Sequence, residues 1–268
     1  MSVLSYFCQI SANIILRSGI KKEDDSFVIV NQHENGWEVI YHRAHALLAA
    51  QIAGNWNKKD RPQRIIETVA AISHHDDLEK EWEGNHLTPA GTPLDFTLDT
   101  KSDIKKLKEF TNNARYRGRW VAMLISMHMS FLNEGKRGES PELDSFLDEQ
   151  LQKQEKWHKE LKITKKEAEE AYAFFQWCDR LSLILCNREI PAGERALEIG
   201  TGPDGDRYDI KQQSDGSITV IPWPFQEKQF TVNVEACYLN QVKFESNEEL
   251  TEALQNAPIK LLEWTLVK

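Results

Sequence analysis

Apolar residues recur along this chain with two periods. In residues 27 to 31 (FVIVN) and 37 to 41 (WEVIY) they form short β-branched and aromatic runs separated by a stretch containing HENG, a pattern that predicts a hairpin. From residue 42 the period lengthens to that of a helix. Residues 42 to 56 (HRAHALLAAQIAGNW) predict a first helix. Residues 62 to 76 (PQRIIETVAAISHHD) predict a second, with Pro62 in a first turn that tolerates it. Residues 84 to 100 carry Gly84, Pro89, Gly91 and Pro93 and read as loop. Residues 118 to 133 (GRWVAMLISMHMSFLN) predict a third, largely buried helix. The strongly charged residues 141 to 160 predict an exposed helix, and residues 165 to 187 (KKEAEEAYAFFQWCDRLSLILCN) a long amphipathic one. After about Pro191, alternating segments return at 206 to 210, 217 to 222, 229 to 239 and 259 to 267, with a short helix at 247 to 256.

These elements predict a mainly α fold: a helical bundle with an N-terminal β-hairpin and a small C-terminal antiparallel sheet, α+β overall. The expected division is a tail over 1–26, a helical core with its leading hairpin over 27–190, and a small β-rich part over 191–268 packed on that core. Pairing of the hairpin with the C-terminal strands would tie the two ends together. The first residues, MSVLSYFCQISANIILRSG, lack a basic region before their apolar stretch and do not read as a signal peptide. KKEDD (21 to 25) reads as a linker.

Four helices place a polar or ionisable side chain on an apolar stripe, judged by the three-, four- and seven-residue spacings that share a helix face. His45 lies with Leu48, Ala49 and Ile52. His75 lies with Thr68, Ala71 and Ile72, and Asp76 with Val69 and Ile72. His128 lies with Val121, Leu124, Ile125, Phe131 and Leu132. Asp179 lies with Tyr172, Phe175, Ser182 and Cys186. Burying one unpartnered carboxylate costs several kcal/mol even after relaxation. Convergence of these groups on a cation removes that cost, and a mixed imidazole and carboxylate set suits manganese, iron, nickel or zinc. Each residue also has a plainer reading. A histidine on an apolar face is commonly a hydrogen-bonded core residue. Asp179 has Arg43, Arg180 or a backbone amide as alternative partners, and Asp76 and Asp77 could cap a helix end. In HHDD, His74 and Asp77 fall on less apolar faces than His75 and Asp76. His42 lies one turn before His45 and could reach the same region, and His86 could close over it from the loop.

Composition narrows the picture. With 40% hydrophobic and 28% charged residues, the chain is an ordinary globular protein. Forty-two acids against thirty-three bases give a net charge of −9, which argues against general binding to nucleic-acid backbones but leaves room for a small phosphorylated substrate beside a metal. No run reaches the roughly 18 apolar residues of a membrane span. The four cysteines (8, 178, 186 and 237) form no C-x-x-C pair, and Cys178 and Cys186 sit in an apolar helical stretch, so buried thiols in a reducing cytoplasm are expected. GTGPDGD (200 to 206) lacks the Gly-Lys-Ser/Thr of a phosphate loop and reads as a turn. Trp56, Trp82 and Trp120, near the ends of site-bearing helices, suit core filling more than pocket walls.

The order His45, then His75 with Asp76 thirty residues later, then a distant Asp179, resembles the HD superfamily of metal-dependent phosphohydrolases. The segments IVNQHENGWEVIYHRAHALLAAQIA, AISHHDDLEKEWEG, GTPLDF, LISMHMSFL, QWCDRLSLILC, VIPWPF and LEWTL are similar to the bacterial family called domain of unknown function 3891, over about residues 27 to 268. HDDLEKEW departs from that family's usual His-Asp-Asp-Gly-Trp, which bears on the turn after Asp76 but leaves the ligand pair in place. The resemblance implies a fold and a metal site and assigns no substrate.

The expected function is hydrolysis of a small phosphoester or phosphoanhydride, with His45, His75, Asp76 and Asp179 holding an ion that acidifies a water and polarises a phosphoryl oxygen. His128 would hold a second ion or steady the leaving oxygen. Arg180, and the cluster Arg115, Arg117 and Arg119, are candidate phosphate contacts, with a solvated basic face as the alternative. Two rivals stand beside it. A di-iron oxygenase of the HD type would need a sixth ligand, from His42 or His86. A non-catalytic HD-fold binding or sensing module would need no metal.

Overall fold

A computed structural model describes residues 28–78, 85–98 and 103–268. The expected tail over 1–26, Cys8, Trp82 and most of the departure after Asp77 (79–84) lie outside these residues. With 22% strand beside 47% helix, the fold is mixed α/β and not the mainly α bundle expected. Among the described residues, seven strands form one curled sheet, a half-barrel. The strands are β1 (Val28–His33), β2 (Gly36–Tyr41), β3 (Leu197–Thr201), β4 (Arg207–Gln212), β5 (Ile218–Ile221), β6 (Gln229–Leu239) and β7 (Ile259–Val267), in the spatial order β1-β2-β6-β7-β5-β4-β3. The hairpin does pair with the C-terminal strands, as its expected tie between the two ends requires: β2 runs antiparallel to β6 through Trp37–Leu239 and Val39–Cys237. The C-terminal strands are not purely antiparallel: β5 runs parallel to β7. The local periods showed the elements and left open a tie between hairpin and C-terminal strands, but not the strand order or the parallel pair that make all seven strands one layer.

The helices are α1 (His42–Asn55), α2 (Ile65–Ser73), α3 (Ile104–Ala114), α4 (Arg119–Glu134), α5 (Pro141–Leu161), α6 (Lys165–Cys186) and α7 (Asn247–Asn256). α3 and β3 have no counterpart in the sequence expectation. α3 nevertheless carries Leu107, Phe110, Thr111 and Ala114 on one buried face, and Asp103 caps it by accepting from the backbone amides of Lys105 and Lys106. α6 begins with a capping box between Thr164 and Glu167. Among the described residues no helix is long and apolar enough to cross a membrane.

Consecutive residues are buried in β1 (Val28, Ile29) and β2 (Val39, Ile40), so both faces of the hairpin are covered. Ile29 and Ile40 join the main core with α1, α4 and α6. Val28 and Val39 pack instead with Cys237, Leu239 and, from α7, Leu250 and Leu254. β2 meets β6 over only the last residues of that strand, which leaves the first part of β6 with an open edge. α1 covers it. The Gln51 side-chain amide donates to the Asn233 carbonyl at 2.9 Å and accepts from the Asn233 amide at 3.0 Å, taking the place of a neighbouring strand. Trp56 closes the end of α1 against Phe174, Trp177, Tyr208 and Phe225, and Trp120 is likewise buried, its indole N–H donating to Thr68 Oγ1 at 2.9 Å. Both tryptophans are core. So α1 is fixed to the sheet on one side and packs against α2 and α6 on the other.

Candidate metal centre

The site lies where α1, α2, α4 and α6 meet. α1 supplies His42 and His45, α4 supplies His128 and α6 supplies Asp179. His75 and Asp76 do not sit in the last turn of α2 as the 62–76 helix implied. That helix ends at Ser73, and residues 74–78 form turns. The early ending strands the Ile72 carbonyl, which would otherwise accept from the amide four residues on. His75 Nδ1 turns back to satisfy it, donating at 2.6 Å. With Nδ1 so engaged, only His75 Nε2 faces the centre, 3.1 Å from Asp179 Oδ1 and 3.4 Å from Asp76 Oδ2.

His45 is fixed by the same logic. The Ser182 hydroxyl donates its one proton to the Asp179 carbonyl at 2.8 Å. Its oxygen, 2.9 Å from His45 Nδ1, therefore accepts from that nitrogen. His45 Nε2 is left facing Asp76 Oδ2 at 2.5 Å. A nitrogen lone pair and a carboxylate oxygen this close repel unless a proton or a metal ion lies between them. Asp179 Oδ1 is buried against His75 Nε2, poorly aligned for a hydrogen bond, so either a charged His75 or a bound cation would satisfy it. One donor atom each from His45, His75 and Asp76 lies within 4.8 Å of the others, and the same holds for His75, His128 and Asp179. Neutral imidazole nitrogens and ionised carboxylates are the donors that first-row divalent ions take, so the residues fit such an ion. His75 Nε2 has one lone pair. The two groups would therefore share one ion, unless His42, whose Nδ1 is 3.6 Å from Asp76 Oδ2, joined His45 and Asp76 around a second.

Charge is distributed unevenly. Burial disfavours a charge on His75, but Asp76 and Asp179 outweigh it and raise its pKa to about 10. Burial likewise pushes both carboxylates up, yet the surrounding imidazoles, His75 first, hold Asp76 well below its ordinary value and lower Asp179. Burial lowers His42 to about 4 and, aided by His75, His128 to about 4. His128 stacks on Phe175 with ring centroids 4.8 Å apart, and its Nδ1 is 3.3 Å from the Tyr172 hydroxyl. The side chains of His45 and His75 are only 2% exposed, whereas Asp76 and Asp179 are 17% and 15% exposed, so what exposure the cluster has lies on its carboxylates. Phe96, from the 3-10 turn Phe96–Leu98, packs edge-on against His42 at 4.4 Å.

His45, His75, Asp76, His128 and Asp179 are thus brought together. Arg180 is not: its guanidinium donates to Glu189 at 2.8 Å. Arg119 pairs with Glu160 at 2.7 Å and Arg115 with the Tyr116 hydroxyl at 3.0 Å, while Arg117 reaches toward Asp77. His86 is buried in its loop, where its amide donates to Asn247. Ser182 and the Ile72 carbonyl, which orient the two central imidazoles, were not singled out as site groups by the sequence. Ser182 appeared there only as a neighbour of Asp179 on one face. Cys178, Cys186 and Cys237 are buried free thiols.

The chain is an α/β protein with a buried His–Asp cluster whose carboxylates are slightly exposed. The sequence model of the family described as Protein of unknown function (DUF3891) matches residues 28–241, and the chain belongs to that family. No curated protein matches it, and no solved structure does.

Proposed function

We propose that this protein is a metal-dependent hydrolase of a small phosphoester or phosphoanhydride, with a site of the HD type. What supports the reading is the approach of His45 Nε2 and His75 Nε2 to Asp76 and Asp179 with both Nδ1 atoms already engaged elsewhere. His45, His75, Asp76 and Asp179 hold the ion, and their order along the chain is the HD order. A divalent ion bound there supplies Lewis acidity, polarising a phosphoryl oxygen and easing deprotonation of water. His128, uncharged at neutral pH, faces the same point and is placed to steady the departing oxygen. The cluster's exposed carboxylate side is where substrate enters. The test is hydrolysis across a panel of generic phosphoesters and nucleotides with added manganese or nickel, together with elemental analysis of the purified protein. Activity present in the wild type and lost in Asp76→Ala is expected. Equal inactivity of the two across the panel removes the reading.

A second reading, oxidation of an organic substrate at a pair of irons, gains support from His42, whose approach to Asp76 adds a sixth donor to the five. The absorption spectrum of the iron-loaded protein separates the two readings.

A further inference from the structure

Asp77 follows Asp76 directly and is itself 24% exposed. Three cationic or titratable side chains from three places in the chain converge on its carboxylate. Arg43, on α1, approaches Oδ1 with its Nε at 3.4 Å, Arg117 approaches Oδ2 with Nη2 at 3.4 Å, and His74 Nδ1 is 2.8 Å from Oδ2. Two guanidiniums thus meet at one carboxylate on a chain whose net charge is −9. Both contacts are longer than the roughly 2.7–2.9 Å of a well-made guanidinium–carboxylate bond. Arg119, Arg137 and Arg180, by contrast, hold their carboxylates at 2.7, 2.6 and 2.8 Å. Neither Arg43 nor Arg117 has another polar partner among the described residues. Each keeps most of its five donors unused and is about half exposed, at 48% and 41%.

We propose that Arg43 and Arg117, positioned by Asp77, form the anion-recognition pair of this centre and take a phosphoryl group whose far oxygens point away from the ion. The proposal rests on the hydrolase reading for the identity of the anion and names the residues that would select it. Guanidinium forks match the spacing of phosphate oxygens, and two of them from different elements favour a dianionic group over a single carboxylate. Asp77 orients the pair without consuming it.

The experiment titrates inorganic phosphate by calorimetry into the full chain, first metal-free and then loaded with manganese. Wild type, Arg43→Ala, Arg117→Ala, Arg43→Lys and Arg119→Ala are compared, with manganese content measured for each. Both alanine variants at the pair are expected to carry normal manganese and bind phosphate at least about tenfold more weakly. Arg43→Lys keeps the charge but not the fork and falls between them, and Arg119→Ala matches wild type. Equal phosphate affinity in wild type and both alanine variants, or no phosphate binding by wild type, overturns the pair while leaving the metal reading intact. If wild type takes up no manganese, that reading fails on its own, and the metal-free titration decides for the pair: arginine-dependent binding supports it, and arginine-independent or absent binding overturns it.

Discussion

His45 and Asp76 are 31 residues apart in the chain, yet His45 Nε2 stands 2.5 Å from Asp76 Oδ2, with the rear of the imidazole held by Ser182. The contact joins the first turn of α1 to the turn after α2 and brings a carboxylate onto a nitrogen whose partner nitrogen is already a donor. Asp76→Asn keeps the shape and removes the charge. It is expected to lower affinity for manganese by at least about a hundredfold while circular dichroism stays unchanged. Retained metal in a folded Asp76→Asn protein would take Asp76 out of the ligand set.

Ser182 acts through His45. Ser182→Ala removes the acceptor for His45 Nδ1–H, so the ring is free to turn or to change tautomer. Metal affinity is expected to fall about 10- to 100-fold, as for other partners that orient a ligand from behind. Ser182→Thr, which keeps the hydroxyl, restores most of it. An alanine variant with wild-type affinity would show that the hydroxyl orients nothing.

Metal uptake displaces a proton. With its pKa raised to about 10, His75 is an imidazolium at pH 7 in the metal-free protein, standing between the two carboxylates much as an ion would. Coordination through Nε2 requires the neutral ring, so one proton leaves as one ion enters. Calorimetric titration with manganese at pH 7, in buffers of different ionisation enthalpy, should give a slope of about one proton released. A slope of zero contradicts the assignment of that proton.

His42 and His128 set the acid limit of the metal-free fold. Both have folded pKa values lowered to about 4, against roughly 6.5 in the unfolded chain. Between these values the unfolded chain binds more protons, so stability is complete above about pH 6.5 and is lost as pH falls toward 4. Each of the two groups should cost about 2 kcal/mol between pH 7 and pH 5, while His75, with its raised pKa, favours the fold by a little under about 1 kcal/mol more at pH 5, so urea unfolding should show a net loss of about 3 kcal/mol. Replacing His128 with Asn removes about 2 kcal/mol of it. A flat profile in the wild type would mean that one or both rings are charged when buried.

Gln51 substitutes for a strand along the open part of β6. Gln51→Ala leaves the amide and carbonyl of Asn233 without their partners. The expected loss of stability is about 1–3 kcal/mol, read from chemical denaturation. Hydrogen exchange at Asn233 should accelerate more than at residues of β7. Unchanged stability and exchange would show that solvent satisfies this edge without help.

How much of this could be read in advance differs by element. α1 was expected over 42 to 56 and runs His42–Asn55, and α5 and α6 differ from expectation by a single residue at one end. The apolar stripes that singled out His45 and Asp179 are faces that α1 and α6 bury; that of His128 on α4 is buried through Val121, Leu124 and Ile125 but exposed at Phe131 and Leu132, and His75 lies in the turn after α2. Both are properties of neighbours three and four residues apart, which any stretch of chain carries in its own order. The stop of α2 at Ser73 was not legible, because the His75 ring that satisfies Ile72 competes with continued helix only once the turn has formed.

The remainder lies between residues that local order does not relate. Ser182 meets His45 across 137 positions and Gln51 meets Asn233 across 182, and no period in the chain encodes such a pair. The same holds for β2 beside β6, which converts an expected helical bundle with two small β parts into one curled sheet backed by helices. It holds too for the arginines: Arg180 adjoins Asp179 in sequence but turns to Glu189, while Arg43 and Arg117 meet at Asp77. Sequence by itself determined which side chains must be buried and which of those need a charge partner, because burial follows helix periodicity and desolvation makes an unpaired charge costly. Only the tertiary structure decided which partner each one has, because hydrogen bonds and ion pairs act over a few ångströms and the folding of the chain alone sets what lies within that reach.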